Sequence, residues 1–193
     1  MANKDALREL QQRLAERLQT VREQAPARNW LAVEVAGHGF LLPLDQAGEI
    51  FPLSAVHTVP HSKPWFLGVA NLRGQLHGVI DLASFLGLGR RAPRLVPDAA
   101  SGREGREARD AREIRDGGRL VAFNGKLQTN AALLIDRLLG LRQAGALKPA
   151  AAAEEAGKPH FIGQQMADAQ GRIWYELDLA ALAADEAFAR IDA

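Results

Sequence analysis

Apolar residues recur at every third or fourth position through Leu7, Leu10, Leu14, Leu18 and Val21, with Lys, Arg, Glu and Gln between them. That spacing predicts an amphipathic helix over residues 4–24, ended by Pro26. It suits either a docking or pairing helix or one folded back on its own domain. From Trp30 the period drops to two. Leu31, Val33 and Val35 alternate with Ala32 and Glu34, Gly37-His38-Gly39 turns the chain, and Phe40-Leu41-Leu42 follows. Pro43 marks the end of that strand as an edge or a bend. A link through residues 46–50 leads to Val56-His57-Thr58-Val59 and a longer apolar stretch over 64–82, and residues 83–87 suit a brief helical turn.

Residues 89–118 cannot form a core. Arg103, Arg106, Arg109, Arg112 and Arg115 recur every third residue, interleaved with Glu and Asp, and predict a solvated, poorly ordered insertion. Strand character returns at Leu120-Val121-Ala122-Phe123. Asn124-Gly125 then signals a hairpin, and Leu133-Leu134-Ile135 reads as a buried run. An Ala-rich loop over 144–157 precedes a last hairpin, from Phe161 to Leu177, that turns at Asp168-Ala169-Gln170-Gly171. Asp178 is placed to cap a closing helix that carries Leu179, Leu182 and Phe188. Three strand ends echo one another: Val79-Ile80-Asp81-Leu82, Leu134-Ile135-Asp136-Arg137 and Glu176-Leu177-Asp178-Leu179. They read as repeated strand-to-helix caps or as chance. Many short strands punctuated by Gly and Pro argue for a mainly β barrel or sandwich.

Composition narrows the chemistry. The 193 residues suit one good-sized domain plus tails, and 47% hydrophobic content is ordinary for a globular chain. A net charge of +1 gives no general pull toward nucleic acid or anionic lipid. Without cysteine there are no disulfides, thiolate metal sites or cysteine nucleophiles. The charged N-terminus lacks the apolar core of a signal peptide, and no apolar run approaches the ~18 residues of a spanning helix. A cytoplasmic location is the expectation, with no direct membrane insertion.

Candidate catalytic and ligand motifs fail on their context. His57 and His61 stand four apart, but Pro60 breaks the helix that would align them, so no metal site is expected. The run from Gly87 to Ala92 fits a dinucleotide fingerprint in letters only, since Pro93 and the charged insertion follow where a helix must open. Ser54, Ser62, Ser84 and Ser101 lie outside any nucleophile motif. Asp81 and Asp136 read more simply as strand-end caps than as an acid pair. The Arg-rich insertion carries its own carboxylates, which weakens any case for nucleic acid.

The most informative stretch is Pro64-Trp65-Phe66-Leu67-Gly68-Val69-Ala70-Asn71-Leu72-Arg73-Gly74, followed by Val79-Ile80-Asp81-Leu82. Two apolar runs flank a polar corner in which Gly74 can supply a positive φ. Spacing alone leaves Arg73 either solvated at an ordinary hairpin tip or held rigidly for display to another protein. This stretch resembles the CheW family of chemosensory coupling proteins, and its Lys63-to-Asn71 wording is similar to the PilI-type members, which serve systems controlling twitching by type IV pili. The likeness can be followed with gaps from about Asn29 to Ile191.

The resemblance implies a non-enzymatic scaffold without a cofactor. Its expected fold is two five-stranded, SH3-like β-barrel subdomains side by side, completed by a C-terminal helix. Residues 27–193 would form this domain, with the 1–26 helix and the 89–118 insertion as additions. The implied partners are the regulatory domain of a CheA-like histidine kinase and the cytoplasmic tip of a chemoreceptor. Matching partner-binding positions are Gly68, Asn71, Arg73, Gly74 and Glu49. Gly68 and Gly74 would hold backbone shape, Asn71 the turn, and Arg73 would donate to the receptor. Ala47 and Gly78 depart from the family pattern, which more often has a larger aliphatic residue and a proline there. The alternative is a small-ligand-binding or nucleic-acid-binding β-barrel.

Overall fold

The computed structural model describes residues 28–89, 118–150 and 158–193. The helix expected over 4–24 lies outside these residues, as does all but the ends of the 89–118 insertion. Among the described residues the chain folds into two sheets. The first is built on β1 (Asn29–Val35), which pairs with β2 (His38–Pro43) on one side and β8 (Arg137–Gln143) on the other. Beyond β2 it continues through β11 (Ile173–Leu177) and β10 (Ile162–Ala167) to a two-residue β9 (Lys148–Pro149). The second sheet runs β3 (Ala47–Pro52), β6 (Arg119–Phe123), β7 (Ala131–Ile135), β5 (Gln75–Asp81), β4 (Phe66–Leu72). Each sheet contains one parallel pair, β2 with β11 and β5 with β7. The two expected five-stranded modules are present, one of them lengthened by β9.

Side-chain alternation explains how the modules join. In β1, Trp30 and Ala32 face a core made with Leu41, Leu147, Met166 and Trp174, inside the first sheet. Leu31, Val33 and Val35 face the other way, into a larger core shared with Phe66, Ile80, Val121, Phe123 and Leu133 of the second sheet. The second sheet encloses its own small core, to which Leu72, Val79, Leu120 and Ala132 contribute and against which Phe51 of β3 packs. Because its two outer strands both reach this core, the sheet must curl. The molecule therefore has three apolar layers, with the middle one between the modules. This is why Ala32 is as fully buried as Val33, although a one-sided strand would put them on opposite sides of the water boundary.

Trp174 is buried in the core of the first module. Its indole N–H donates to Asp168 Oδ2 at 3.0 Å, and the Arg172 and Arg142 guanidinium carbons lie 4.7 and 5.5 Å from its ring centroid. Arg172 continues to Glu34 Oε2 at 2.7 Å. The hydrogen bond from Trp174, joined by backbone N–H groups of Arg172 and Gln170, holds the Asp168 carboxyl below its ordinary value.

Several sequence expectations are corrected. The expected link through 46–50 is mostly strand, residues 47–50 belonging to β3, and residues 56–59 form only an isolated bridge, His57 to Val69. The hairpin signalled at Asn124-Gly125 does form, β6 against β7 antiparallel, but its connection is longer than a two-residue turn. Asn124 caps a 3₁₀ turn by accepting from the Lys126 N–H at 3.1 Å, and the left-handed residue is Gln128. Asp81 and Asp178 do cap helices, α1 (Leu82–Phe85) and α2 (Leu179–Ala184). Asp136 does not; it accepts from the Ala36 N–H at 2.7 Å and ties the β7–β8 corner to β1. The closing helix is two short ones, because Asp185 leaves α2 with an extended ψ and caps α3 (Glu186–Ala189). Phe188 of α3 then stacks near-parallel on Trp65 and Phe123, at 6.2 and 5.9 Å, and edge-on to Phe85 at 5.5 Å. This aromatic cluster seals the middle layer.

Candidate functional site

The β4–β5 hairpin carries most of the expected site. Leu72 pairs with Gln75, so Arg73 and Gly74 alone form the turn, with φ of 52° and 86°. Two positive φ values in a two-residue loop are the type I′ arrangement, which matches the right-handed twist of the strands. The sequence assigned the left-handed conformation to Gly74; Arg73 adopts it as well, at a cost of about 1 kcal/mol for a residue with a Cβ. Asn71 Oδ1 accepts from the Gly74 N–H at 2.7 Å and locks the corner. Buried Leu72 and His77 anchor the flanks, His77 with Nδ1 3.2 Å from the Gln75 carbonyl oxygen.

Arg73 reaches across the open end of the second module to β3. Its Nη2 lies 2.7 Å from Glu49 Oε1, with the Arg73 side chain 75% exposed and Glu49 43% exposed. β3 and β4 are the two outer strands of the five-stranded sheet, so this ion pair spans the rim where the sheet's edges approach. Phe51, Leu72, Gln75, His77 and Asn124 line a shallow polar hollow beneath it. The structure thus brings Glu49, Asn71, Arg73 and Gly74 together.

Gly68 belongs elsewhere. With φ of 132° it sits at the bulge in β4, and a Cβ there would meet the His57 carbonyl oxygen at 2.1 Å. Val69 and His57 exchange two backbone hydrogen bonds beside it, at 2.8 and 2.9 Å. Gly68 lets residues 57–58 close over the strand, and its contribution to the rim is through backbone shape. The two departures from the family pattern also have local reasons. The Gly78 N–H donates to the Asn130 carbonyl at 2.9 Å, a bond proline could not make. Ala47 is buried in the middle core.

Sequence reading passed over Leu76, 63% exposed on the same hairpin, and the hollow under the ion pair. A leucine between Gln75 and His77 at a strand start was the available signal. Among the described residues no three His, Asp or Glu side chains gather to hold a metal, and no helix is long and apolar enough to cross a membrane.

A family model described as the CheW-like domain matches residues 29–187. Protein PilI of Pseudomonas aeruginosa is 33% identical over 75 residues, which is 39% of this chain and 42% of PilI. The chain thus matches well under half the length of that relative. The crystal structure of the scaffolding protein TtCheW from Thermoanaerobacter tengcongensis superposes with a TM-score of 0.55 at 16% identity, covering 78% of this chain and 88% of that one. At that identity the likeness is one of fold.

Proposed function

The chain belongs to the CheW-like domain family, and on that premise we propose that it is a non-catalytic adaptor joining a methyl-accepting chemoreceptor to a CheA-like histidine kinase. The partial likeness to PilI supports a system that controls twitching by type IV pili. Residues 27–193 form the coupling domain, to which the 1–26 segment and the 89–118 insertion are additions. It works in the cytoplasm, at membrane-associated receptor arrays that it reaches through its partners.

The observation that carries this reading is the Arg73–Glu49 pair on the rim. A guanidinium on a waving loop loses much conformational entropy when it docks. Arg73 is instead preset by a two-residue turn, the Asn71–Gly74 bond and the Glu49 carboxylate. Glu49 Oε1 meets one guanidinium nitrogen, and the outward donors can take a carboxylate from the receptor tip. Asn71 and Gly74 fix the turn, and Gly68 fixes the strand behind it.

Calorimetric titration of the purified chain tests the proposal, with a soluble receptor-tip fragment and the kinase regulatory domain added separately and together. Binding to each, and a ternary complex with both, is the expected result. Failure to bind either overturns the proposal, as does a specific thermal shift with a nucleotide or divalent metal in place of such binding.

A further inference from the structure

We propose that residues 4–24 fold back on their own domain and dock, through Leu14, Leu18 and Val21, on a two-leucine face of the edge strand β8. Among the described residues β8 pairs only with β1 and ends the first sheet on that side. In that pairing Leu138 lies opposite Val33, and Leu141 lies opposite Leu31. Cross-strand partners share a face, and Leu31 and Val33 both point into the middle core. Leu138 and Leu141 therefore carry the same apolar face one strand further. They are nevertheless 42% and 60% exposed.

Strict alternation would put these two leucines, three positions apart, on opposite faces of β8. A bulge prevents it. Leu139 is the extra residue between Leu138 and Gly140, and Gly140 has a φ of 92°. Leu139 packs against the first module's own core, and Arg142 lies over Trp174 on that same side. The irregularity thus gathers two leucines on the face that the second module leaves uncovered.

The chain itself supplies the cover. The Arg28 carbonyl accepts from the Ala144 N–H at 3.0 Å and Asn29 pairs with Gln143, so the chain enters the fold beside the end of β8. Only residues 25–27 separate this point from the 4–24 segment, a link of about 10 Å when extended. Leu7, Leu10, Leu14, Leu18 and Val21 recur at helical spacing, an apolar stripe that needs a surface. Running back along β8 from Gln143, such a helix meets Leu141 first with its Val21 end and then Leu138. A second copy of the chain fits this face less well. Two leucines fall far short of the area a stable dimer buries, and a bulged edge resists pairing with another strand. On so short a tether the segment faces the patch at an effective concentration on the order of millimolar, so a small contact suffices.

Hydrogen exchange read by mass spectrometry tests this on the full chain, at two protein concentrations about a hundredfold apart. Leu141→Ser, the Leu138→Ser plus Leu141→Ser double variant and Leu76→Ser are compared with the parent. Leu76, 63% exposed on the second sheet, is the control. In the parent, amides of residues 4–24 are expected to exchange at least about tenfold more slowly than an unstructured chain, equally at both concentrations. Leu141→Ser should remove about threefold or more of that protection and the double variant nearly all of it, while Leu76→Ser leaves it unchanged. Exchange over Leu31–Val35 reports whether the domain is intact; should the double variant disturb it, Leu141→Ser alone decides. Unstructured-chain rates over 4–24 in the parent overturn the inference, as does protection that survives the β8 variants. Protection present only at the higher concentration overturns it in favour of pairing with another copy.

Discussion

Arg73 and Glu49 join the two outer strands of one sheet through a 2.7 Å ion pair that stays largely exposed. A pair that wet contributes at most about 1 kcal/mol to folding. Its removal should therefore be felt in binding far more than in stability. For Arg73→Ala we expect receptor affinity to fall about tenfold, the loss of a charged hydrogen bond, while Tm moves by no more than about 4 °C. Parallel calorimetric titration and thermal melts read the two quantities independently.

The turn itself separates the roles further. Asn-Gly is the favoured pair for a type I′ loop, and Arg73 is a strained occupant of its first position. Arg73→Asn should raise stability by about 0.5–1 kcal/mol, a Tm gain of roughly 1–4 °C, while losing receptor binding as fully as Arg73→Ala does. A variant that is both more stable and silent excludes misfolding as the cause of lost binding.

Gly68 admits no side chain. A methyl group there collides with the His57 backbone and meets an unfavourable φ, so Gly68→Ala should cost about 3 kcal/mol or more. Urea unfolding followed by tryptophan fluorescence should show a lowered midpoint with a similar m-value.

Asp168 sets a pH dependence with a definite sign. Its folded-state pKa lies below the ordinary 3.8, mainly because the Trp174 indole donates to it. A lowered carboxyl contributes stability above its unfolded value and loses it as pH falls through the folded one. The stability gap between the parent chain and Asp168→Asn should be full at neutral pH and shrink below about pH 4. Denaturant melts at a series of pH values measure it.

Phe188 holds the aromatic seal between Trp65, Phe85 and Phe123. Phe188→Ala should cost about 3–5 kcal/mol and open the Trp65 environment, visible as a red-shifted emission.

Legibility in the sequence followed the range of the interactions. The Asn71-to-Gly74 corner, the Asp178 cap and the Asp168-to-Gly171 turn are decided within four residues, and all three were readable. β8 was not: Arg137, Gly140 and Gln143 interrupt its pattern, and it exists because the edge of β1 needs a partner. The single closing helix failed at Asp185, whose carboxylate serves α3 better than it continues α2. Asn124-Gly125 carried the letters of a tight hairpin, but the Asn124 side chain captured the Lys126 amide first. Glu49 and Arg73 were each singled out, yet nothing local says that they touch; curling of the sheet brings them together.

The shared middle layer has a mechanical consequence. Two modules that own a common set of side chains cannot swivel against each other without tearing Leu31, Phe66 and Leu133 out of register. A load applied at one end is delivered at the other with little give, as through a welded bracket.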